Sequence, residues 1–305
     1  MQLPQHLYPF SSHYLDLGGV RCHYVDEGRG DPVIMVHGNP TWSFYFRSLI
    51  LGLRDQFRTI AIDHVGCGMS DKPSDEHYDF SLKRRIDDLE ALLDHLQVRE
   101  NITLVLHDWG GMIGMGYAVR HPQRVRRFVI LNTAAFHMPK AKRLPFALWL
   151  GRNTRLGAWL ILRWNLFCKA AAWIGTKRTP LPADVKQGLL APYDSPAHRL
   201  AVLRFVQSIP LKPGDPGFDV VTEIEKGLTQ FRNHPMLIVW GLRDFVFDRH
   251  FLNEWERRFP NAEVLRLADC GHYVLEDAAE PIVTQVKAFL AANTPSPAAK
   301  ESGRT

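Results

Sequence analysis

The sequence predicts an α/β fold in which helices cover both faces of a mostly parallel sheet. Short apolar runs alternate with helical patterns in residues 1–135 and again from residue 229 onwards, and such alternation is typical of parallel strands joined by crossover helices. A stretch of helical patterns without a strong strand lies between these two parts. The opening residues alternate polar and apolar side chains on either side of Gly18 and Gly19, which indicates an antiparallel hairpin.

Eight strands are predicted, and the first two form the hairpin. They cover residues 13–17, 20–25, 32–36, 59–62, 102–106, 127–131, 236–240 and 263–267. Most of the later runs are continuously apolar, as expected for parallel strands buried on both faces. The main helices are predicted at 43–53, after the capping residue Ser81, after residue 109, at 250–258 and at 281–290.

The order of these elements divides the chain into a core and a cap. Residues 1–135 and 229–292 are predicted to build the core, and residues 136–228 a helical cap, or lid, inserted after the sixth strand. Such an insert lies over the carboxyl ends of the strands, where open α/β sheets bind their ligands. Residues 293–305 are rich in small and polar side chains and are predicted to be a disordered tail.

Composition excludes several classes of protein. A chain of 305 residues with 46% hydrophobic content can bury a large core. No run of eighteen apolar residues and no signal-peptide pattern are found, so we expect neither a membrane span nor secretion. Four widely spaced cysteines without a C-x-x-C pair favour reduced thiols in a cytoplasmic protein. The 14 histidines show no metal-ligand spacing, and we expect neither a metal nor another cofactor.

The stretch ITLVLHDWGG around Asp108 reads as a buried strand, a sharp turn and the start of a helix. Asp108 stands at the tip of this turn, where the nucleophile elbow G-x-S-x-G has its serine. In a dry site at a helix N-terminus, an aspartate carboxylate can attack carbon. Taken alone, Asp108 could equally be a helix-capping residue.

Two further candidates follow later strands. Asp244 comes after the seventh strand, and His272 after the eighth. The order nucleophile, acid, histidine is that of a catalytic triad at the carboxyl edge of one sheet, so His272 is the predicted base and Asp244 the acid that orients it. Asp248 is the main rival to Asp244. Asp269 and Asp277 lie in the same loops.

Four stretches resemble the haloalkane dehalogenase branch of the α/β-hydrolase superfamily: HGNPTWSFYFR, DHVGCGMSDKP, HDWGG and GHYVLED. The resemblance covers almost the whole chain. It implies that the indole N–H of Trp109 and the side chain of Asn39 hold the leaving anion, and that their backbone N–H groups form an oxyanion hole. Some members carry a glutamate as the acid after the sixth strand, where this chain has Asn132, so the acid role passes to Asp244.

Within that branch, the stretches GCGMSDKP, LNTAAF, APYDSPAHR, RFVQSIPL and GLRDFVFD look like the β-lactone decarboxylases of bacterial long-chain olefin biosynthesis. This likeness implies conversion of cis-3-alkyl-4-alkyl β-lactones to cis-alkenes and carbon dioxide. Hydrolysis of alkyl halides through an ester of Asp108 is the alternative. An epoxide hydrolase ranks third, because such enzymes use tyrosines of the lid and this lid has only Tyr193. A catalytically inert scaffold of the same fold is the alternative from a different class.

The cap is basic and rich in tryptophan. Residues 137–186 hold ten Lys or Arg and one acidic residue, Asp184. Tryptophans interleaved with cations suggest a surface that meets an anionic membrane or a partner protein. The resemblance to the β-lactone decarboxylases implies assembly with other enzymes of olefin biosynthesis. A face that only contacts solvent is about as consistent with this pattern. No nucleic-acid-binding motif accompanies the charge, and the expected ligand is a hydrophobic small molecule.

Overall fold

The structure is a computed structural model that describes residues 5–294. Its strands form one eight-stranded sheet in the order β1-β2-β4-β3-β5-β6-β7-β8. Their bounds are β1 His13–Asp16, β2 Arg21–Glu27, β3 Pro32–Val36, β4 Arg58–Ile62, β5 Ile102–Asp108, β6 Val125–Thr133, β7 Met236–Gly241 and β8 Glu263–Leu267. β1 and β2 pair in antiparallel fashion, and β3 to β8 run parallel. The predicted fold class is therefore confirmed, and β5 lies at the centre of the sheet.

The helices alternate with the strands as predicted. Those outside the cap are α1 Arg47–Leu53, α2 Leu82–His95, α3 Gly110–Arg120, α10 Arg249–Arg258, α11 Val274–Asp277 and α12 Ala279–Ala292. The predicted first helix begins with a short 3-10 turn, Ser43–Phe46. The side chains of α2, α3 and α10 pack on one face of the sheet, and those of α1 and α12 on the other. Burial on both faces explains why the central strands are continuously apolar.

The inserted segment contains six helices among the residues described: α4 Phe146–Asn153, α5 Arg155–Trp164, α6 Leu166–Ile174, α7 Ala183–Leu190, α8 Leu200–Gln207 and α9 Phe218–Gly227. Helices α5, α6 and α8 share a small apolar core of their own, which includes Ile161, Cys168 and Val202. Helix α9 instead packs on α3, where Ile224 lies beside Gly116. The proposed boundaries of core and cap, at residues 135 and 228, remain predictions.

A buried carboxylate attaches the cap to the core. Asp277 accepts hydrogen bonds from the backbone N–H groups of Lys177 and Arg178, which follow α6, and from that of Gly271 in the core. Asp277 is only 6% exposed, and charge-assisted hydrogen bonds of this kind are strong. The cap is therefore joined to the loop that carries residue 272.

The predictions of free cysteines and of no membrane span can be compared with the structure. All four cysteines are buried and free. Across residues 5–294, no helix combines the length and the apolar character needed to cross a bilayer. The predicted disordered tail, 293–305, lies outside the described residues except for Asn293 and Thr294.

Candidate active site

Asp108 stands at the sharp turn between β5 and α3. Its φ of +52° lies in the left-handed region, which a residue with a Cβ adopts only where the surroundings hold it there. Gly110 and Gly111, which follow, allow the start of α3 to lie close to the ends of β3 and β6. A Cβ on Gly110 would collide with the carbonyl group of Val36, and one on Gly111 with the side chain of Thr133. The structure therefore has the predicted elbow, with Asp108 at its tip.

The two oxygens of the Asp108 carboxylate have different surroundings. Oδ1 accepts a hydrogen bond of 2.6 Å from the backbone N–H of Asn39. Oδ2 lies 3.6 Å from Nε2 of His272, which is too far for a good hydrogen bond. Burial raises the pKa of Asp108, while the charge of His272 and the backbone N–H groups of Asn39 and Trp109 oppose this rise. The carboxylate is thus poorly solvated and held in place through one oxygen.

His272 is oriented by Asp244. Its Nδ1–H donates to Oδ2 of Asp244 over 2.8 Å, so Nε2 is the nitrogen that faces Asp108. Burial lowers the pKa of His272, but the neighbouring carboxylates of Asp244 and Asp108 outweigh this effect, and the pKa is raised overall. The structure therefore brings Asp108, His272 and Asp244 together in the predicted arrangement.

Asn132 fixes the position of Asp244. Its side-chain Nδ2 donates to Oδ2 of Asp244 over 3.0 Å, and its Oδ1 accepts from the backbone N–H of Gly241 at the end of β7. The backbone N–H of Val246 donates to the other oxygen of Asp244. Asn132 occupies the place that the acid has in some family members, and its neutral amide cannot take that role. The structure shows that it joins the end of β6 to the loop that holds the acid.

The three other candidate aspartates have different partners. Asp248 caps α10 and forms a 2.9 Å ion pair with Lys142. Asp269 pairs with Arg178 at the surface, and Asp277 attaches the cap as described above. These contacts agree with the choice of Asp244 over Asp248 as the partner of the histidine.

His107 is a neighbour of the triad that the sequence reasoning missed. It is fully buried, and its Nε2–H donates to the backbone carbonyl of His272 over 2.9 Å. Burial holds its pKa well below the usual value, so the ring is neutral and its centre lies 4.6 Å from that of His272. The only signal in the sequence was its place directly before Asp108. His107 thus holds the backbone of the residue 272 loop.

Asp108 and His272 lie at the wall of a large apolar cavity between core and cap. The cavity has about 1280 Å³ of empty space, part of it open to solvent. The apolar side chains on its wall come from loops and helices of both the core and the cap, and include Met138, Leu148, Phe167, Ile174, Phe247 and Phe251. Tyr193, the one tyrosine of the lid, is fully buried and is not among the lining residues. The site therefore suits a substrate with much apolar surface.

The two predicted anion donors also line this cavity. In residues 5–294 the indole N–H of Trp109 has no hydrogen-bond acceptor. One N–H of the Asn39 amide donates to the backbone carbonyl of Val202 in α8 over 3.1 Å, which leaves the second N–H of that amide for a ligand. The described part of the chain contains no group of three or more His, Cys, Asp or Glu that could hold a metal ion.

The sequence is similar to those of known proteins over most of its length. The profile of the alpha/beta hydrolase fold family matches residues 31–279. A cis-3-alkyl-4-alkyloxetan-2-one decarboxylase of Shewanella oneidensis is 55% identical over 284 residues, which are 93% of this chain and 89% of the relative. A protein of the same name from Xanthomonas campestris pv. campestris is 45% identical over 94% of this chain and 98% of its own length.

A solved structure confirms the architecture. The haloalkane dehalogenase DatA from Agrobacterium tumefaciens C58 superposes with a TM-score of 0.83, covering 93% of this chain and 97% of that chain, at 24% sequence identity. At this identity the likeness concerns the fold alone.

We expect the pKa of His272 to depend on Asp244 and not on Asp248. The Asp244→Asn variant loses the largest contribution that raises this pKa, so the pKa should fall, and burial, which lowers it, should then dominate. Nuclear magnetic resonance of the imidazole across a pH titration measures the shift. Asp248→Asn is the matched control and should leave the titration of His272 unchanged. A shift in the control but not in Asp244→Asn would contradict the assignment.

Proposed function

The chain belongs to the α/β-hydrolase family, and we propose that within this family it decarboxylates cis-3-alkyl-4-alkyl β-lactones, or oxetan-2-ones, to cis-alkenes and carbon dioxide. The observation that carries the proposal is the high identity, over nearly the full length of both chains, to two proteins named for this activity. The wide apolar cavity agrees with it, because such a substrate presents two alkyl chains and one small polar ring.

In the first step, Asp108 would act as the nucleophile on the ring carbon C4. Oδ2 is the oxygen for this attack, because Oδ1 is held by the backbone N–H of Asn39. A new bond forms between Oδ2 and C4, and the bond between C4 and the ring oxygen breaks. The ring oxygen leaves as part of a carboxylate on C3. The burial that raises the pKa of Asp108 also removes the hydration that would otherwise weaken its carboxylate as a nucleophile.

In the second step, the ester of Asp108 would break without water. The bond between C3 and its carboxylate cleaves, carbon dioxide leaves, and the released electron pair forms the C3–C4 double bond. The bond between C4 and Oδ2 breaks at the same time and restores the Asp108 carboxylate. Attack from the back inverts C4 and places the new ester opposite the carboxylate. Elimination from this arrangement keeps both alkyl chains on one side, as in the cis-lactone.

The neighbouring residues would stabilise charge during these steps. The indole N–H of Trp109 and the free amide N–H of Asn39 can donate to the carboxylate that forms when the ring opens. Asp244 and Asp108 raise the pKa of His272, which favours a positive charge beside both the nucleophile and the new carboxylate. In this proposal His272 and Asp244 set the charge of the site and do not activate a water molecule.

Hydrolysis of alkyl halides is the second candidate function. The observation that favours it is the Asp108-Trp109 pair at the elbow, which resembles that of the haloalkane dehalogenases. Such a reaction would use the same nucleophile, and His272 would then activate water to hydrolyse the ester.

The epoxide hydrolase alternative loses support, because Tyr193 lies outside the cavity wall. The arrangement of Asp108, His272 and Asp244 disfavours a catalytically inert scaffold. A cytoplasmic location remains part of the proposal.

Product analysis tests the proposed reaction directly. With a synthetic cis-3,4-dialkyl β-lactone we expect the cis-alkene as the main product, measured by gas chromatography with mass spectrometry. The Asp108→Asn variant should form none, because an amide is a far weaker nucleophile than a carboxylate. A β-hydroxy acid as the main product would show hydrolysis instead. Halide release from bromoalkanes without any reaction of the lactone would assign the chain to the dehalogenases.

Trp109→Phe tests the role of the indole N–H, because the variant keeps an aromatic ring and loses the donor. Removal of one such donor typically raises the barrier by about 3 kcal/mol, so we expect a roughly hundredfold lower kcat. Phe205→Leu is the matched control: it removes the ring that packs 5.4 Å from the Trp109 ring and keeps the donor. Its kcat should fall much less. If kcat fell equally in the two variants, the contribution of Trp109 would be packing and not hydrogen bonding.

A further inference from the structure

The cap exposes an unusual amount of apolar surface. Of the twelve large hydrophobic side chains that are exposed in the described part of the chain, eight lie in residues 146–174, which form α4, α5 and α6. Five of the eight are aromatic: Phe146, Trp149, Trp159, Trp164 and Trp173. Phe146 is 73% and Trp173 72% exposed. We call the exposed side chains of residues 146–174 the cap face. Concentrated apolar surface of this kind marks a site of interaction.

The cap face is also positively charged. Residues 146–174 contain Arg152, Arg155, Arg163 and Lys169, and no acidic residue. Arg152 is paired with Asp215 over 2.7 Å, whereas no salt bridge among residues 5–294 involves Arg155, Arg163 or Lys169. Three cations thus remain available on the same helices as the tryptophans. A surface of this composition is complementary to an anionic lipid bilayer, where tryptophan and basic side chains occupy the headgroup region.

The apolar surface continues into the cavity of the candidate active site. Helix α4 contributes Ala147 and Leu148 to the cavity wall, and α6 contributes Phe167 and Ile174. Ile174 is itself 41% exposed, so it belongs to both the cap face and the cavity. Ile174 therefore gives the cap face an apolar connection to the cavity. Helix α5 contributes no residue to the cavity wall.

We propose that the cap face binds the surface of an anionic lipid bilayer, which delivers apolar ligands to the cavity and receives them from it. A second copy of this chain fits less well, since pairing two cap faces would bring six unpaired cations together without a carboxylate from either segment. The tryptophans favour a lipid interface, because each combines a large apolar ring with a polar N–H group. The binding requires no assumption about the reaction, because it concerns the outer surface of the cap.

Sedimentation with lipid vesicles tests this proposal. We expect the full chain to bind vesicles that contain phosphatidylcholine and phosphatidylglycerol in equal amounts, to bind pure phosphatidylcholine far less, and to be released by salt. Arg155→Gln combined with Arg163→Gln should weaken binding by roughly tenfold or more. Arg99→Gln combined with Arg232→Gln is the matched control, because both arginines are exposed on the core, and it should bind like the wild type.

The apolar part of the surface has its own test. Trp159→Ser combined with Trp164→Ser removes two exposed rings of α5, and binding should fall by a similar factor. Tyr14→Ser combined with Leu51→Ser, at exposed positions of the core, should have no effect. Both double variants should turn over a detergent-dispersed substrate at the full rate. Turnover therefore reports on the proposed reaction, and vesicle sedimentation reports separately on membrane binding. Absent vesicle binding, unchanged binding of the cap variants, or self-association through the cap face would overturn the proposal.

Discussion

The candidate site depends on holding the Asp108 carboxylate where water is excluded. Burial alone would raise its pKa and favour the neutral form, which is a poor nucleophile. The charge of His272 and the backbone N–H groups of Asn39 and Trp109 act against this. These groups come from three separate loops at the carboxyl edge of the sheet. The parallel sheet therefore brings to one edge the groups that favour the ionised form of this buried carboxylate.

The core and the cap contribute different properties to the site. Asp108, His272 and Asp244 all come from the core, whereas α4 and α6 of the cap supply much of the apolar wall. The two parts are joined close to the reacting groups. Asn39 donates to Val202 in the cap, and Asp277 binds the cap backbone and Gly271, the residue before His272. We expect a change of cap position to alter the site through these two contacts.

Much of this arrangement could be predicted from the sequence. The periodicity of apolar residues predicts the strands and helices that form the sheet. The positions of Asp108, Asp244 and His272 after three strands predict that they meet, because parallel strands bring such residues to one edge. The contacts of Asn132 and His107 could not be predicted in this way. They depend on which rotamer a buried side chain adopts and on which distant backbone group it meets, as with Asn132 and Gly241, 109 residues apart. Periodicity carries no information about such contacts.

In the proposed reaction, Asp108 forms and loses its ester without hydrolysis. Turnover of the cis-lactone in heavy-oxygen water, followed by mass spectrometry of the peptide that contains Asp108, tests it most directly. A water molecule that hydrolysed the ester would attack the carboxyl carbon of Asp108 and leave a heavy oxygen in its side chain. We expect an unlabelled Asp108 after many turnovers, with alkene as the product. A labelled Asp108 would contradict it.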